Sequence, residues 1–413
     1  MKDRAVHNRP SLHYGWVIVI TGIAVLFSCL GLGRFALGML LPSMGASLDL
    51  SYSQMGMIST GNFTGYMISV ILAGIIARAA GARLTIALGL ALVGVSMVLI
   101  GKAAGFVQVA ALYIATGIGS GLANVPMMGL VSHWFYKSTR GRAAGTIISG
   151  NGIAIVFAGV FVPYVNAGLG SEGWRTGWVT MGILSLLIAL AAGAVLRNSP
   201  AEKGLDPVGT DDDTSPMPGE AAPGDKKASN KQTMVHLGGI YFLFGASYVV
   251  YATFIVTAMV NERGFGEGAA GTFWAIVGGL SVFSGALFGW LSDRLGRKIG
   301  MITVYSLFTV AYALAGAHLP VPFLFASITI FGLTVWSIPT IMAAVVGDFM
   351  GPEKAVKAFG FITLFFGAGQ IAGPAVAGIL ADQTGSFSIA FWLCSALTAA
   401  AVGLTWLLRP PGR

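Results

Sequence analysis

Long apolar runs follow one another down this chain, separated by short polar turns. A helix needs about 20 apolar residues to cross a bilayer. Runs of that length lie at residues 14–42, 52–77, 82–101, 106–131, 140–167 and 175–196, then at 236–261, 268–292, 297–316, 320–346, 354–381 and 386–408. They are continuous rather than alternating, which excludes the short two-faced strands of a membrane barrel. The pattern predicts an all-α membrane protein of twelve transmembrane helices.

Residues 197–235 break the rhythm. They hold Asp211, Asp212 and Asp213, three prolines between Pro207 and Pro218, and the pair Lys226–Lys227. Such a segment cannot bury a core and reads as a flexible linker. It separates a six-helix bundle over 14–196 from a second over 236–408, with short tails at 1–13 and 409–413.

Composition sharpens the picture. Of the 413 residues 55% are hydrophobic and 10% are charged, against about 25% charged in a soluble domain. The 59 glycines suit close helix packing in lipid. The net charge of +8 belongs to topology, not to nucleic acid. With the N-terminus cytoplasmic, 20 Lys and Arg fall in inside segments and 3 in outside ones, so both termini are expected in the cytoplasm of an inner-membrane protein. The first apolar run is too long for a signal peptide and reads as a retained span. Cys29 and Cys394 lie in apolar runs and read as small fillers, not as a disulfide or zinc site. No metal or other cofactor is expected, and no catalytic cluster marks a membrane enzyme. The glycines at Gly117, Gly119 and Gly121 and at Gly150 and Gly152 follow no strand. They read as helix packing rather than a nucleotide loop.

Residues 289–298 read Gly-Trp-Leu-Ser-Asp-Arg-Leu-Gly-Arg-Lys, in the turn between the eighth and ninth spans. Asp293 can sit at a helix N-terminus or pair with a base across the turn, Gly296 permits the turn, and Arg294, Arg297 and Lys298 anchor it inside. A looser copy with Gly74, Arg78, Gly81 and Arg83 follows the second span, with Ala77 in place of the acid. This pair of turns, with Gly289 opening the second, resembles the signature of the major facilitator superfamily. The resemblance implies two pseudo-symmetric six-helix bundles, substrate held between them, and alternating access by rocking. It also implies that both turns help latch the outward-facing state; the alternative is that they only anchor topology.

Two further stretches resemble the bacterial monocarboxylate and oxalate–formate branch. One is Tyr14-Gly15-Trp16-Val17-Ile18-Val19. The other is His133-Trp134-Phe135 with the run from Arg140 to Gly145. Trp16, Trp134 and Phe135 also suit an aromatic belt at the membrane interface. The branch places a basic residue in the eighth span and often one in the eleventh. Here the eighth span has none, and the eleventh offers Gln370.

The only basic residue left for an anion is Arg34, about 20 residues into the first span, which the topology count does not use. All 16 acidic residues fall in loops or at span ends. An arginine in hydrocarbon costs about 2.5–3.5 kcal/mol or more, so it should face a cavity or a partner, unless it snorkels to the headgroups. Its planar fork suits a carboxylate. The segment around it also resembles the first span of organic-anion symporters, with Gly33 where they carry an acid. Asn62 and Tyr66 share one helix face. Asn124, Asn151, Tyr248, Tyr251, Trp274, Trp336 and Gln370 are the other candidate cavity residues, each with helix packing as the plain alternative. The expectation is a monomeric carrier in the lipid bilayer, secondary active or facilitative, taking a small organic anion, with monocarboxylates first, and with a coupling proton, a counter-substrate or neither. The rivals are efflux of apolar drugs and a transport-dead membrane sensor. His133 is a secondary candidate for handling a proton.

Overall fold

The computed structural model describes residues 13–209 and 231–408. The first tail through residue 12, Asp211–Asp213, Lys226–Lys227 and the last five residues lie outside the described residues. Among those described, twelve helices are long and apolar enough to cross a membrane. In the N-terminal bundle they are α1 (Tyr14–Ser47), α2 (Tyr52–Ala80), α3 (Ala82–Ile100), α4 (Phe106–Trp134), α5 (Ser138–Leu169) and α6 (Gly173–Val195). In the C-terminal bundle they are α7 (Lys231–Glu262), α8 (Glu267–Leu295), α9 (Arg297–Gly316), α10 (Val321–Met350), α11 (Lys357–Thr384) and α12 (Ser388–Leu407).

Helix ends follow local chemistry. Ser51 and Gln54 form a reciprocal capping box at the start of α2. Gly81 and Gly296, at φ +82° and +92°, make the sharp turns after α2 and α8, where a side chain would be strained. The first span runs past the predicted end at 42 to Ser47, because the helix continues through Pro42. In α10 the helix is interrupted between Thr334 and Ser337, and Ser284 of α8 accepts the freed Trp336 amide at 3.1 Å.

The contacts between the two bundles are concentrated from the middle to the end away from the termini, here called the far end. α2 packs on α11, α5 on α8, and the second part of α1 on α7. Asp382 of α11 accepts the backbone amides of Tyr52 and Ser53 at 2.7 and 2.9 Å. A carboxylate of one bundle thus caps a helix of the other, where the helix dipole favours it. Asn166 of α5 donates to Glu267 of α8 at 2.6 Å, and Ser59 and Thr253 meet at 3.2 Å. Nearby, Ser47 donates to Glu172 at 2.6 Å and Arg175 pairs with the same carboxyl. The Ser47 bond first, then Arg175, hold that carboxyl below its ordinary range.

Two sequence readings need correction. Trp134 and Phe135 do not form an interfacial belt: both are buried. The start of the linker covers them, and that start is not free. Trp134 donates to the Arg197 carbonyl at 3.0 Å, Val208 donates to the Trp134 carbonyl at 2.8 Å, and Tyr136 donates to Val208 at 3.0 Å. Residues 197–209 therefore fold back on the N-terminal bundle, because a buried strand-like backbone pair satisfies groups that a flexible chain would leave to water.

Candidate functional site

The site begins with a change of helix type. Residues Phe27–Phe35 of α1 wind as a π-helix, and the Ala36 amide reaches back five residues to the Gly31 carbonyl at 3.2 Å. The wider turn resets the direction of the side chains that follow it. A side chain on Gly31 would collide with Ala154 of α5, so the wound segment lies tight against its neighbour. Arg34 is in the last turn of this segment.

Arg34 does not snorkel; it is 9% exposed. Its guanidinium carbon lies 4.5 Å from the Phe63 ring centroid and 4.4 Å from that of Tyr66. Two such cation–π contacts, worth about 2 kcal/mol each when desolvated, offset part of the burial penalty. Arg34 Nε donates to Asn62 Oδ1 at 3.3 Å. Asn62 is fixed in turn, its amide nitrogen donating to the Gly33 and Tyr113 carbonyls at 3.3 Å each. Tyr113 donates its hydroxyl to the Arg34 carbonyl at 3.0 Å. Asn124 donates to the Tyr66 hydroxyl at 2.8 Å. The predicted Arg34, Asn62, Tyr66 and Asn124 thus form one connected cluster.

What the cluster leaves undone is the informative part. Arg34 Nη2 is buried and has no hydrogen-bond partner. Among the described residues the ion pairs are Arg175–Glu172, Arg297–Asp293 and Arg297–Asp348, and none includes Arg34. A small cavity of about 10 Å³ adjoins it, lined also by Ser59, Val249 and Thr253. That is roughly room for one water and too little for an organic anion. The cavity is shared between bundles, its lining drawn from α1, α2 and α4 on one side and α7 on the other.

A second cluster stands on the C-terminal side. Gln370 donates to the Tyr248 hydroxyl at 2.5 Å. Tyr248 stacks on Phe244 and Phe366 at 4.8 and 5.8 Å, and its ring meets Trp336 at 6.3 Å. Phe35, next to Arg34 in the chain, contacts Trp336 edge-on at 5.4 Å and joins the two clusters. Three predicted residues stand apart. Tyr251 bonds Ser327 at 2.9 Å and stacks on Phe331 inside the C-terminal bundle. Trp274 is buried with its indole nitrogen unpaired, and Asn151 is buried with its amide oxygen unpaired. Neither has a hydrogen bond or ring contact to the Arg34 cluster among the described residues. His133 is exposed and bonds only its own helix, at the Gly129 carbonyl.

Sequence reasoning missed Phe63, Tyr113 and Phe35. Phe63 was legible, since it lies three residues before Tyr66 on the same helix face. Tyr113 comes from a neighbouring helix, and no local signal marks it.

In the turns, Asp293 lies near the C-terminal end of α8 rather than at a helix N-terminus. A negative charge is disfavoured there, and Arg297 compensates by pairing with it across Gly296. Arg297 also reaches Asp348 at 3.2 Å and Ser292 at 3.0 Å. Arg294 covers Trp290, and Lys298 donates to the Leu408 carbonyl at 3.1 Å. In the first copy Arg83 donates to the Gly193 carbonyl at 2.5 Å, and its amide donates to Asn198 at 2.9 Å. Arg78 is exposed, and Gly74 and Gly289 are close to no neighbouring backbone.

This architecture can be compared with known proteins. A family model described as "Uncharacterised MFS-type transporter YbfB" matches residues 26–406. The chain belongs to the MFS-type transporters. Its match to the hexuronate transporter of Bacillus subtilis (strain 168) is 26% identical and covers 92% of this chain and 91% of that one. The probable sulfoacetate transporter SauU of Cupriavidus necator is 24% identical over 89% of this chain and 88% of its own. Mouse monocarboxylate transporter 11 is 25% identical, over 94% of this chain and 85% of its own. Among solved structures, a bacterial homologue of the human lysosomal transporter Spinster, inward-facing and occupied, superposes with a TM-score of 0.75 at 14% identity, covering 96% of this chain and 97% of that one. The nucleoside transporter NupG gives 0.74 at 13% identity, over 96% and 99%. At these identities the structures establish the fold. As an MFS-type transporter the chain is a multi-pass membrane protein that carries small molecules, not an enzyme.

Proposed function

We propose that this MFS-type transporter carries a small organic anion by alternating access, with Arg34 as the residue that takes the carboxylate. One observation carries the reading: a buried guanidinium with one NH2 group unpaired and, among the described residues, no carboxylate paired with it. A buried charge left in that state is costly unless a ligand completes it. An oxyanion would do so, since arginine holds carboxylates through parallel charge-assisted bonds. The named substrates of the hexuronate, sulfoacetate and phosphoglycerate transporters among its relatives are all anions, which fits.

The ring cluster of Phe35, Trp336 and Tyr248 supports an apolar substrate body beside the charged head. Asn62 orients the guanidinium, and the Tyr248–Gln370 pair offers polar contacts from the opposite bundle. The contacts across the far end leave Arg34 drawn against its neighbours, beside a cavity of about 10 Å³ with too little space for cargo. Binding then requires the bundles to separate around Arg34.

The test is uptake into proteoliposomes of a panel of labelled monocarboxylates, hexuronates and organic cations, with and without a pH gradient. Arg34→Gln is expected to lower saturable carboxylate uptake at least about tenfold while the protein stays folded. Carboxylate uptake equal to the parent's would remove Arg34 from the mechanism. Saturable uptake of cations alone would replace the anion reading.

A further inference from the structure

The cavity beside Arg34 is lined by more hydrogen-bond donors than the protein uses. Its polar side chains are Arg34, Ser59, Asn62, Tyr113 and Thr253, and none of its lining residues is acidic. Asn62 and Tyr113 are spent on Arg34 and on backbone carbonyls. Ser59 of α2 and Thr253 of α7, both buried, have only each other as side-chain partners among the described residues, at 3.2 Å. Two hydroxyls carry two hydrogens, and the bond between them uses one. One hydroxyl hydrogen is therefore spare, and Arg34 Nη2 is buried and unpaired as well.

We propose that this cavity binds a single chloride ion when no cargo is present, and that the ion fastens the two bundles together in the form seen here. Arg34 Nη2 and the spare hydroxyl donate to it. Size sets the class of ligand. The cavity of about 10 Å³ takes one water-sized particle; a monatomic anion needs little more room, and an organic acid far more. Charge decides between the ion and a water. A water accepts from Arg34, but it brings two hydrogens of its own to a lining already rich in donors, and it leaves the guanidinium unbalanced. A halide only accepts, and it supplies the counter-charge that a buried cation otherwise lacks.

The placement of the donors ties the ion to both bundles. Arg34 and Ser59 belong to the N-terminal bundle and Thr253 to the C-terminal one. Whichever hydroxyl donates to the ion, the other donates to that hydroxyl, so a continuous chain of bonds runs from α1 through the ion to α7. Parting the bundles breaks the chain at the Ser59–Thr253 bond. An ion that binds this form better than the parted one shifts the population toward it.

The inference rests on the reading of Arg34 as an anion-binding group, but its test uses no cargo, so the two fail separately. The full-length protein in nanodiscs is titrated with chloride against gluconate at constant ionic strength, which keeps the screening of surface ion pairs equal in both. Chloride is expected to raise the thermal unfolding midpoint along a saturating curve, by about 3 °C at high occupancy. Gluconate, too large for the cavity, should leave the midpoint where it is. Arg34→Gln should abolish the chloride response. The double variant Ser59→Ala with Thr253→Val keeps the charge and removes both hydroxyls, and it should weaken the apparent chloride affinity about tenfold. It carries the test if Arg34→Gln does not fold. Equal midpoints in chloride and gluconate would mean that the cavity holds water only. That result, or a chloride response undiminished in either variant, would overturn the proposal while leaving Arg34-dependent carboxylate uptake untouched.

Discussion

Twenty residues after the start of its first span, the N-terminal bundle carries Arg34; at the same distance into α7, the C-terminal bundle carries Tyr251. Both are buried. Tyr251 is satisfied by Ser327 and stacked on Phe331, whereas Arg34 keeps an unpaired nitrogen. The turns differ in the opposite sense. In the C-terminal copy Arg297 joins two carboxylates, Asp293 and Asp348. In the N-terminal copy Arg83 is held by a carbonyl and its amide by Asn198, with no ion pair among the described residues. The two bundles share one architecture while placing their incomplete charge and their ionic network in different halves. Repetition therefore fixes the scaffold, and the departures from it mark where chemistry sits.

The strongest way to break the comparison is at the paired first-span positions. Arg34→Lys keeps the charge but loses the planar fork. Carboxylate uptake should fall about tenfold, while Tyr251→Phe should leave uptake within about twofold and cost about 1 kcal/mol of stability through its lost bond to Ser327. Equal damage from both changes, measured by initial uptake rates and thermal unfolding, would mean that the two positions do one job. A smaller effect is expected at the turns. Asp293→Asn releases Arg297 from one carboxylate, and exchange across the membrane should slow about threefold with an unchanged KM. Raising salt should reproduce part of that slowing in the parent, because these groups are half-exposed. No salt dependence would reduce the network to packing. The smallest effect is expected from Ala77→Asp, which gives the first turn the acid that it lacks. Arg83 is already committed to Gly193, and the new charge falls near a helix C-terminus. Stability should drop by about 0.5 kcal/mol, read as a lowered melting temperature; a rise would show that the two turns are interchangeable.

Much of the scaffold was legible because lipid demands it. Backbone groups in hydrocarbon must bond within the helix, so span length and the turns at Gly81 and Gly296 can be read from local sequence. Arg34 was legible for the same reason: a lone charge within an apolar run stands out. The faces of Asn62 and Tyr66 followed from helical spacing. What could not be read depends on partners distant in the chain. The π-helical segment around Arg34 reflects close packing on α5, and no hydrophobic period announces it. The burial of Trp134 depends on residue 208 folding back, within a stretch whose composition argues for flexibility. The orientation of Asp293 at a helix end depended on where α8 stops, which the motif alone does not set.

Asp382 holds the amides of Tyr52 and Ser53 at the far end. These bonds lie at an exposed edge of the interface, within reach of water. A carboxylate and two amide hydrogens released there exchange one set of partners for solvent of similar strength. Parting the bundles at this joint, as the proposed alternating access requires, would strand no polar group in oil, so the fastening holds at rest yet would cost little to undo.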